Sequence, residues 1–210
     1  MLEAIAQYFS EMTWVKAIDM AGLVLGLVYL WLEFKASIWL WLVSVIMPIV
    51  HGYLYWARGL YADFGMEVYY VLAAIYGYAM WRWARGRGKN GENGGQADER
   101  PITRFPMRQV LPVAIVGLAL WGVIYWILIT WTDSSVPVCD SFTTALSMIA
   151  LWALAQKYAE QWLLWLVVDL VCTVLYIYKQ IPFTAALYGF YTVMAVLGYR
   201  SWLRKMTASH

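Results

Sequence analysis

The chain has 210 residues, of which 63% are hydrophobic and only 13% charged, with a mean hydropathy of +0.59 and a net charge of +2. A soluble domain carries about 25% charged residues, and no single core can cover this much apolar surface. The composition therefore excludes a soluble protein and points to an integral membrane protein with helical spans. No His/Cys cluster has metal-ligand spacing, no Gly-rich phosphate loop follows a strand pattern, and no basic patch suggests nucleic acid. No metal, cofactor or nucleic-acid partner is expected; the partner implied by composition is the lipid bilayer.

In chain order, residues 1–17 read as a lead-in. Glu3, Glu11 and Lys16 interrupt any apolar run, so no cleavable signal peptide is expected. A first span runs from Ile18 to Phe34 and closes at Glu33-Phe34-Lys35. A second, Ile38 to Trp56, holds Pro48 in its middle, where a missing backbone hydrogen bond kinks a helix. Arg58-Gly59 turns into a third span, Asp63 to Trp83. Residues 84–109 then form a polar stretch rich in Gly and Arg, read as a mobile loop. The fourth span, residues 110–132, is a linker helix ending at Trp131. Pro137 and Cys139 precede a short fifth span, Ser141 to Gln156. Trp162 to Tyr178 is the sixth, and Thr184 to Trp202 the seventh, with Gln180-Ile181-Pro182 between them. Cys139 and Cys172 lie too far apart in this scheme to pair, and free thiols are expected.

Lys and Arg set the orientation. With seven spans, twelve of these residues fall on one side, including Arg82, Arg85, Arg87, Lys89, Arg104, Lys157 and Arg204, and only Lys16, Arg58 and Lys179 on the other. The amino end is expected outside and the carboxyl end in the cytoplasm.

The chain also repeats itself at an ungapped offset of 121 residues. Asp19 meets Asp140, Leu30-Trp31 meets Leu151-Trp152, Trp41-Leu42 meets Trp162-Leu163, and Leu54-Tyr55 meets Leu175-Tyr176. Tyr70 meets Tyr191, Gly77-Tyr78 meets Gly198-Tyr199, and Trp81 meets Trp202. A chance match of apolar stretches would align Leu and Val, not Trp, Gly-Tyr and Asp. Residues 18–83 and 140–203 thus read as two three-helix bundles joined by the linker helix. An even number of crossings between them makes the repeat parallel, a 3+1+3 arrangement as in SWEET-type transporters. Asp19 and Asp140, at matched span starts, read as helix caps.

One face of the sixth span stands out. Trp162, Trp165, Asp169, Cys172 and Tyr176 fall at i, i+3, i+7, i+10 and i+14. A carboxylate in a membrane helix is costly and usually functional, and beside two tryptophans it suits a flat cation. The repeat places Trp41, Ser44, Pro48, His51 and Tyr55 opposite. His51 is either a ligand or a core histidine, and Pro48 either a hinge or a plain kink. Thr143 and Ser147 either donate to a substrate or permit close helix packing.

These residues resemble a known family. Asp140-Ser141-Phe142-Thr143-Thr144-Ala145-Leu146-Ser147, Lys157-Tyr158-Ala159-Glu160-Gln161-Trp162-Leu163-Leu164-Trp165 with Asp169, and Leu197-Gly198-Tyr199-Arg200-Ser201-Trp202 are similar to the PnuC-type vitamin transporters. Leu60-Tyr61-Ala62-Asp63 and Ile75-Tyr76-Gly77-Tyr78 extend the likeness to the first half. The resemblance implies a bacterial inner-membrane facilitator, not an enzyme, with a SWEET-like fold. It implies uptake of a vitamin precursor by facilitated diffusion, with trapping by a cytoplasmic kinase; related folds form dimer or trimer homo-oligomers, and the sequence itself does not give the oligomeric state. Members typically carry nicotinamide riboside; Trp162, Trp165 and Asp169 would contribute to the site. In the first loop, Glu33-Phe34-Lys35-Ala36-Ser37-Ile38-Trp39 and then Met47-Pro48 depart from the Arg-Glu-Asn-like turn of riboside carriers and resemble the thiamine-transporting PnuT branch. Both substrates are flat aromatic cations, and composition and spacing do not choose between them.

Overall fold

Amides in hydrocarbon have no water to bond, so apolar runs close their hydrogen bonds internally as helices. The computed structural model describes residues 14–57, 61–83, 100–132, 134, 136–178 and 182–208. Among the described residues it has seven α-helices: α1 Trp14–Lys35, α2 Trp39–Ala57, α3 Tyr61–Trp83, α4 Val110–Trp131, α5 Pro137–Ala155, α6 Gln161–Tyr178 and α7 Pro182–Ala208. A 3-10 turn, Met107–Gln109, leads into α4. The chain is all-α. Met107–Trp131, Pro137–Ala155 and Gln161–Tyr178 are each long and apolar enough to cross a membrane. The 22 residues of α4 rise about 33 Å, enough for a hydrocarbon layer of about 30 Å.

Each helix answers one predicted span, and α4 ends on the expected Trp131. α1 begins at Trp14, inside the stretch read as a lead-in, and α7 runs on to Ala208 rather than stopping at Trp202. The rest of the lead-in, the Gly/Arg-rich stretch 84–99, and the turns at Arg58-Gly59 and Gln180-Ile181 lie outside the described residues. The capping reading needs correction. Asp19 is well inside α1. The N-cap of α5 is Val136, followed by Pro137 at the first helical position; Asp140 instead accepts the Ser134 hydroxyl at 2.6 Å.

The chain divides into two compact units, Met1–Ile75 and Tyr76–His210. In the first, α1 packs on α2 through buried Leu32, Ala36, Leu40 and Trp41. Trp56 and Phe64 meet edge-on at 5.1 Å, joining α2 to α3. In the second, α5 packs between α4 and α6, and α6 packs along α7. Small residues permit this closeness: Ala145, Ala150, Ala153 and Ala155 are all buried on α5. Trp121 of α4 donates to Ser141 Oγ at 3.1 Å and meets Phe142 edge-on. α4 itself has no fully buried residue; a helix apolar all round but packed on one side presents the remainder to lipid. Both cysteines are free thiols, Cys172 buried and Cys139 half-buried.

The 121-residue offset is visible in the backbone. α1 ends with Ala36 at φ 57°, and α5 ends with Lys157 at φ 55°. Ala36 N–H donates to Glu33 O and Ser37 N–H to Leu32 O (2.8 and 2.9 Å); Lys157 N–H donates to Leu154 O and Tyr158 N–H to Ala153 O (2.8 and 3.0 Å). Both are Schellman closures with a left-handed residue that is not glycine. Burial follows the same offset: Leu40 and Gln161, Trp41 and Trp162, Ala74 and Ala195, Trp81 and Trp202 are all buried.

Candidate functional site

A helix advances about 100° per residue, so Gln161, Trp162, Trp165, Val168, Asp169, Cys172, Leu175 and Tyr176 share one arc of α6. All are buried or half-buried, while Leu163, Val167, Leu170, Val174 and Ile177 on the opposite arc are exposed. The face picked out by spacing is therefore the inward one.

Asp169 lies on that face, 7% exposed. Its backbone carbonyl accepts the Thr173 hydroxyl at 2.7 Å. Among the described residues no side chain or amide donates to its carboxylate. Tyr188 and Tyr191 of α7 lie within electrostatic reach of it, and Cys172 lies close to Tyr176 and Tyr188. Tyr188 stacks on Tyr176 (centroids 5.3 Å, planes 16° apart) and meets Tyr191 edge-on at 6.0 Å. Gly189 of α7 faces Thr173 of α6: a Cβ there would meet the Thr173 methyl at an ordinary contact distance of 4.0 Å. The arrangement is a carboxylate without a donor among the described residues, beside the Tyr188 and Tyr191 rings, with Tyr176 stacked on Tyr188. Both the negative ring faces and the carboxylate favour a cation. Tyr188 was missed from sequence, and Tyr191 was seen only as a repeat position.

The two tryptophans differ in burial and packing, although neither indole N–H has an acceptor among the described residues. Trp162 is 2% exposed, edge-on to Trp202 at 5.9 Å and so close to Gly198 that a Cβ there would come within 2.6 Å of its ring. Its ring is committed to packing α6 on α7. Trp165 is half-buried, and its indole N–H finds no acceptor among the described residues.

The hydroxyls expected to face a substrate are mostly engaged within their own helices. Thr143 donates to Cys139 O and Asp140 O (2.9 and 3.1 Å), and Ser44 to Trp41 O at 2.9 Å. Ser147 is half-buried. In the first unit Trp41 is buried and Pro48 lies inside α2. His51 Nδ1 stands 3.6 Å from Glu67 Oε1, so the histidine has a carboxylate partner on α3.

The start of α6 is tied down by the segment before α4. Glu160 accepts the Phe105 amide (2.7 Å) and the Arg104 guanidinium (3.1 Å), and Arg104 also donates to the Tyr199 hydroxyl at 3.1 Å. The bond to Glu160 is the main reason the Arg104 pKa is raised above its ordinary value. Thr103 bridges Lys157 and Ala159 through two backbone bonds of 3.0 Å. Behind this turn, Trp81 donates to Leu154 O and Ala155 O, and the Lys157 ammonium sits 4.1 Å from the centre of the Trp81 ring. Gln156 donates to the Tyr76 hydroxyl at 2.7 Å.

A family model described as "nicotinamide mononucleotide transporter" matches residues 16–204. The riboflavin/roseoflavin transporter RibM of Streptomyces davaonensis is 27% identical over 186 residues, covering 88% of this chain and 83% of that protein. The nicotinamide riboside transporter PnuC of Escherichia coli is 22% identical over 217 aligned positions, covering 92% and 86%; that of Neisseria mucosa is 23% identical over 211, covering 97% and 77%. The crystal structure of a vitamin B3 transporter PnuC superposes with a TM-score of 0.67 at 23% identity, over 99% of this chain and 88% of that one. That last likeness concerns the fold.

Proposed function

The chain belongs to the nicotinamide mononucleotide transporter family, and from that premise we propose that it carries thiamine across the bacterial inner membrane by facilitated diffusion. Membership makes it a multi-pass vitamin transporter rather than an enzyme. The observation that carries the reading of a cationic substrate is the buried Asp169, its carboxylate unpaired among the described residues and faced by Tyr188 and Tyr191. A charge in that position costs stability unless something neutralises it. A cationic ring is the complement, and its loss on unloading would make binding reversible. Trp165, Asp169, Tyr176, Tyr188 and Tyr191 are the proposed contacts. Trp162, packed on Trp202, keeps its proposed place beside these contacts. Trp41 and His51 are the proposed first-unit contribution, with Pro48 as hinge. Ser147 keeps its proposed donor role, and Ser44 and Thr143 join only if their hydroxyls turn from their own helices.

The preference for thiamine rests on the first-loop resemblance. Nicotinamide riboside is the second reading, favoured by the riboside transporters among the relatives. It is also a flat cation, and Asp169 serves it equally. RibM transports riboflavin, a neutral isoalloxazine for which an unpaired carboxylate has no electrostatic use. The matching Schellman closures and burial support the 3+1+3 arrangement of two bundles, residues 18–83 and 140–203, around the linker helix 110–132. The Lys and Arg count supports the amino end outside, the carboxyl end inside, and the 84–109 loop in the cytoplasm. A cytoplasmic kinase would hold the product inside by phosphorylation, a functional partner rather than a bound one. Titrating the purified protein with thiamine, nicotinamide riboside and riboflavin, read by tryptophan fluorescence, tests the proposal. Saturable quenching by thiamine is expected. Quenching by the riboside alone would transfer the assignment to the second reading, and quenching by riboflavin alone would refute the cation argument.

A further inference from the structure

Gln161 opens α6 one turn before Trp165 and two before Asp169, on the same inward arc. It is 0% exposed. Among the described residues neither its amide oxygen nor its amide nitrogen has a hydrogen-bond partner. A buried primary amide brings two donors and an acceptor with two lone pairs, and leaving them all unmade is destabilising.

The repeat shows that the fold does not require this polarity. The residue 121 positions earlier is Leu40, which is also 0% exposed. The same buried place is filled by an apolar side chain in one unit and by an unpartnered amide in the other. The rest of the stripe differs in the same direction. Trp165 and Asp169 correspond to Ser44 and Pro48, and the Ser44 hydroxyl is already bonded within its own helix. Among the described residues the second unit thus carries a ladder of polar groups without a hydrogen-bond partner, the Gln161 amide and the Trp165 indole N–H, continued by Asp169, to whose carboxylate none of them donates. Successive rungs rise about 6 Å along the helix.

We propose that Gln161 is a further substrate-contacting, specificity-determining residue, hydrogen-bonding a hydroxyl or amide edge of the ligand whose cationic ring sits at Asp169. The inference rests on the vitamin-cation reading above. A carboxylate alone accepts any cation of suitable size. An amide placed beyond it rewards a ligand that can both donate and accept at its other end, and leaves a penalty for one that cannot.

The test compares wild type with Gln161→Leu, which installs the residue that the first unit carries at this place. Each purified protein is melted without ligand and then titrated with thiamine and with nicotinamide riboside. The variant is expected to melt higher, since an unpaired buried amide is gone, and to bind the vitamin preferred by wild type about tenfold or more weakly. A structural amide would give the opposite thermal result. A lower melting temperature overturns the proposal, and so does a dissociation constant within twofold of wild type. Wild-type protein that binds neither vitamin overturns the vitamin reading and this inference together, and that result appears before any variant is examined.

Discussion

Asp169→Asn is the perturbation that bears most directly on the site. Asn keeps the shape of Asp and removes the charge. In the unloaded protein Asp169 is 7% exposed and its carboxylate has no donor among the described residues, so removing the charge should stabilise the empty state. With a cationic ligand the balance reverses, because the buried cation then loses its counter-charge. Losing one partner of a buried charge pair costs about 2–5 kcal/mol. The tyrosine faces retain part of the attraction, at about 0.5–2 kcal/mol each. The lower part of the range therefore applies, about 2–4 kcal/mol, or about 30- to 1,000-fold in Kd. Calorimetric titration with thiamine measures this, and a melting curve without ligand measures the other half. The expected pattern is weaker binding together with a higher melting temperature. An unchanged Kd would remove Asp169 from the site, and a lower melting temperature would mean that its carboxylate is satisfied within the protein.

Other expectations follow from the helix ends and the α6–α7 seam. Ala36 holds a left-handed conformation at φ 57°, so Ala36→Gly should stabilise by about 1 kcal/mol; a fall in melting temperature would contradict this. Lys157 has the same conformation but also covers the Trp81 ring at 4.1 Å. There Lys157→Gly should leave stability nearly unchanged, the backbone gain offset by a lost cation–π contact of about 1–2 kcal/mol. Gly198→Ala would set a methyl 2.6 Å from the Trp162 ring, itself fixed by Trp202, and should cost about 1–3 kcal/mol; normal yield and melting temperature would show that the seam can open. Glu160→Ala removes the acceptor of Arg104 and the Phe105 amide, and should speed proteolysis at residues 100–106; unchanged cleavage would mean that the backbone bonds of Thr103 suffice.

The parts of this protein that could be read from sequence are those governed by local period. Apolar run length placed all seven helices, because nothing but a helix satisfies the backbone in lipid. The aromatic offset found the repeat because Trp and Gly-Tyr are rare enough to align without ambiguity, and the two Schellman closures at Ala36 and Lys157 follow it to the residue. The inward arc of α6 was legible for the same reason. What faces that arc was not. Tyr188 reaches Asp169 through the rotation and spacing of α7, which depend on contacts such as Gly198 against Trp162 rather than on any pattern within α7. A signal was present in the Tyr70–Tyr191 match, which marks a position kept aromatic in both units. The serine and threonine alternatives could not be narrowed for a different reason: a hydroxyl in an apolar helix bonds to the carbonyl three or four residues back when nothing better is offered. The His51–Glu67 approach was not legible because a distance between two helices leaves no trace in spacing. Gln161 stood beside the tryptophan that drew attention, and only its burial without a partner distinguishes it.

Counterflow tests the central claim most directly. Purified protein in de-energised liposomes preloaded with unlabelled thiamine should accumulate labelled thiamine transiently, and the Asp169→Asn protein should do so far less. Absence of counterflow in wild type, or uptake that appears only when a proton gradient is imposed, would contradict uncoupled diffusion of a cation neutralised at Asp169.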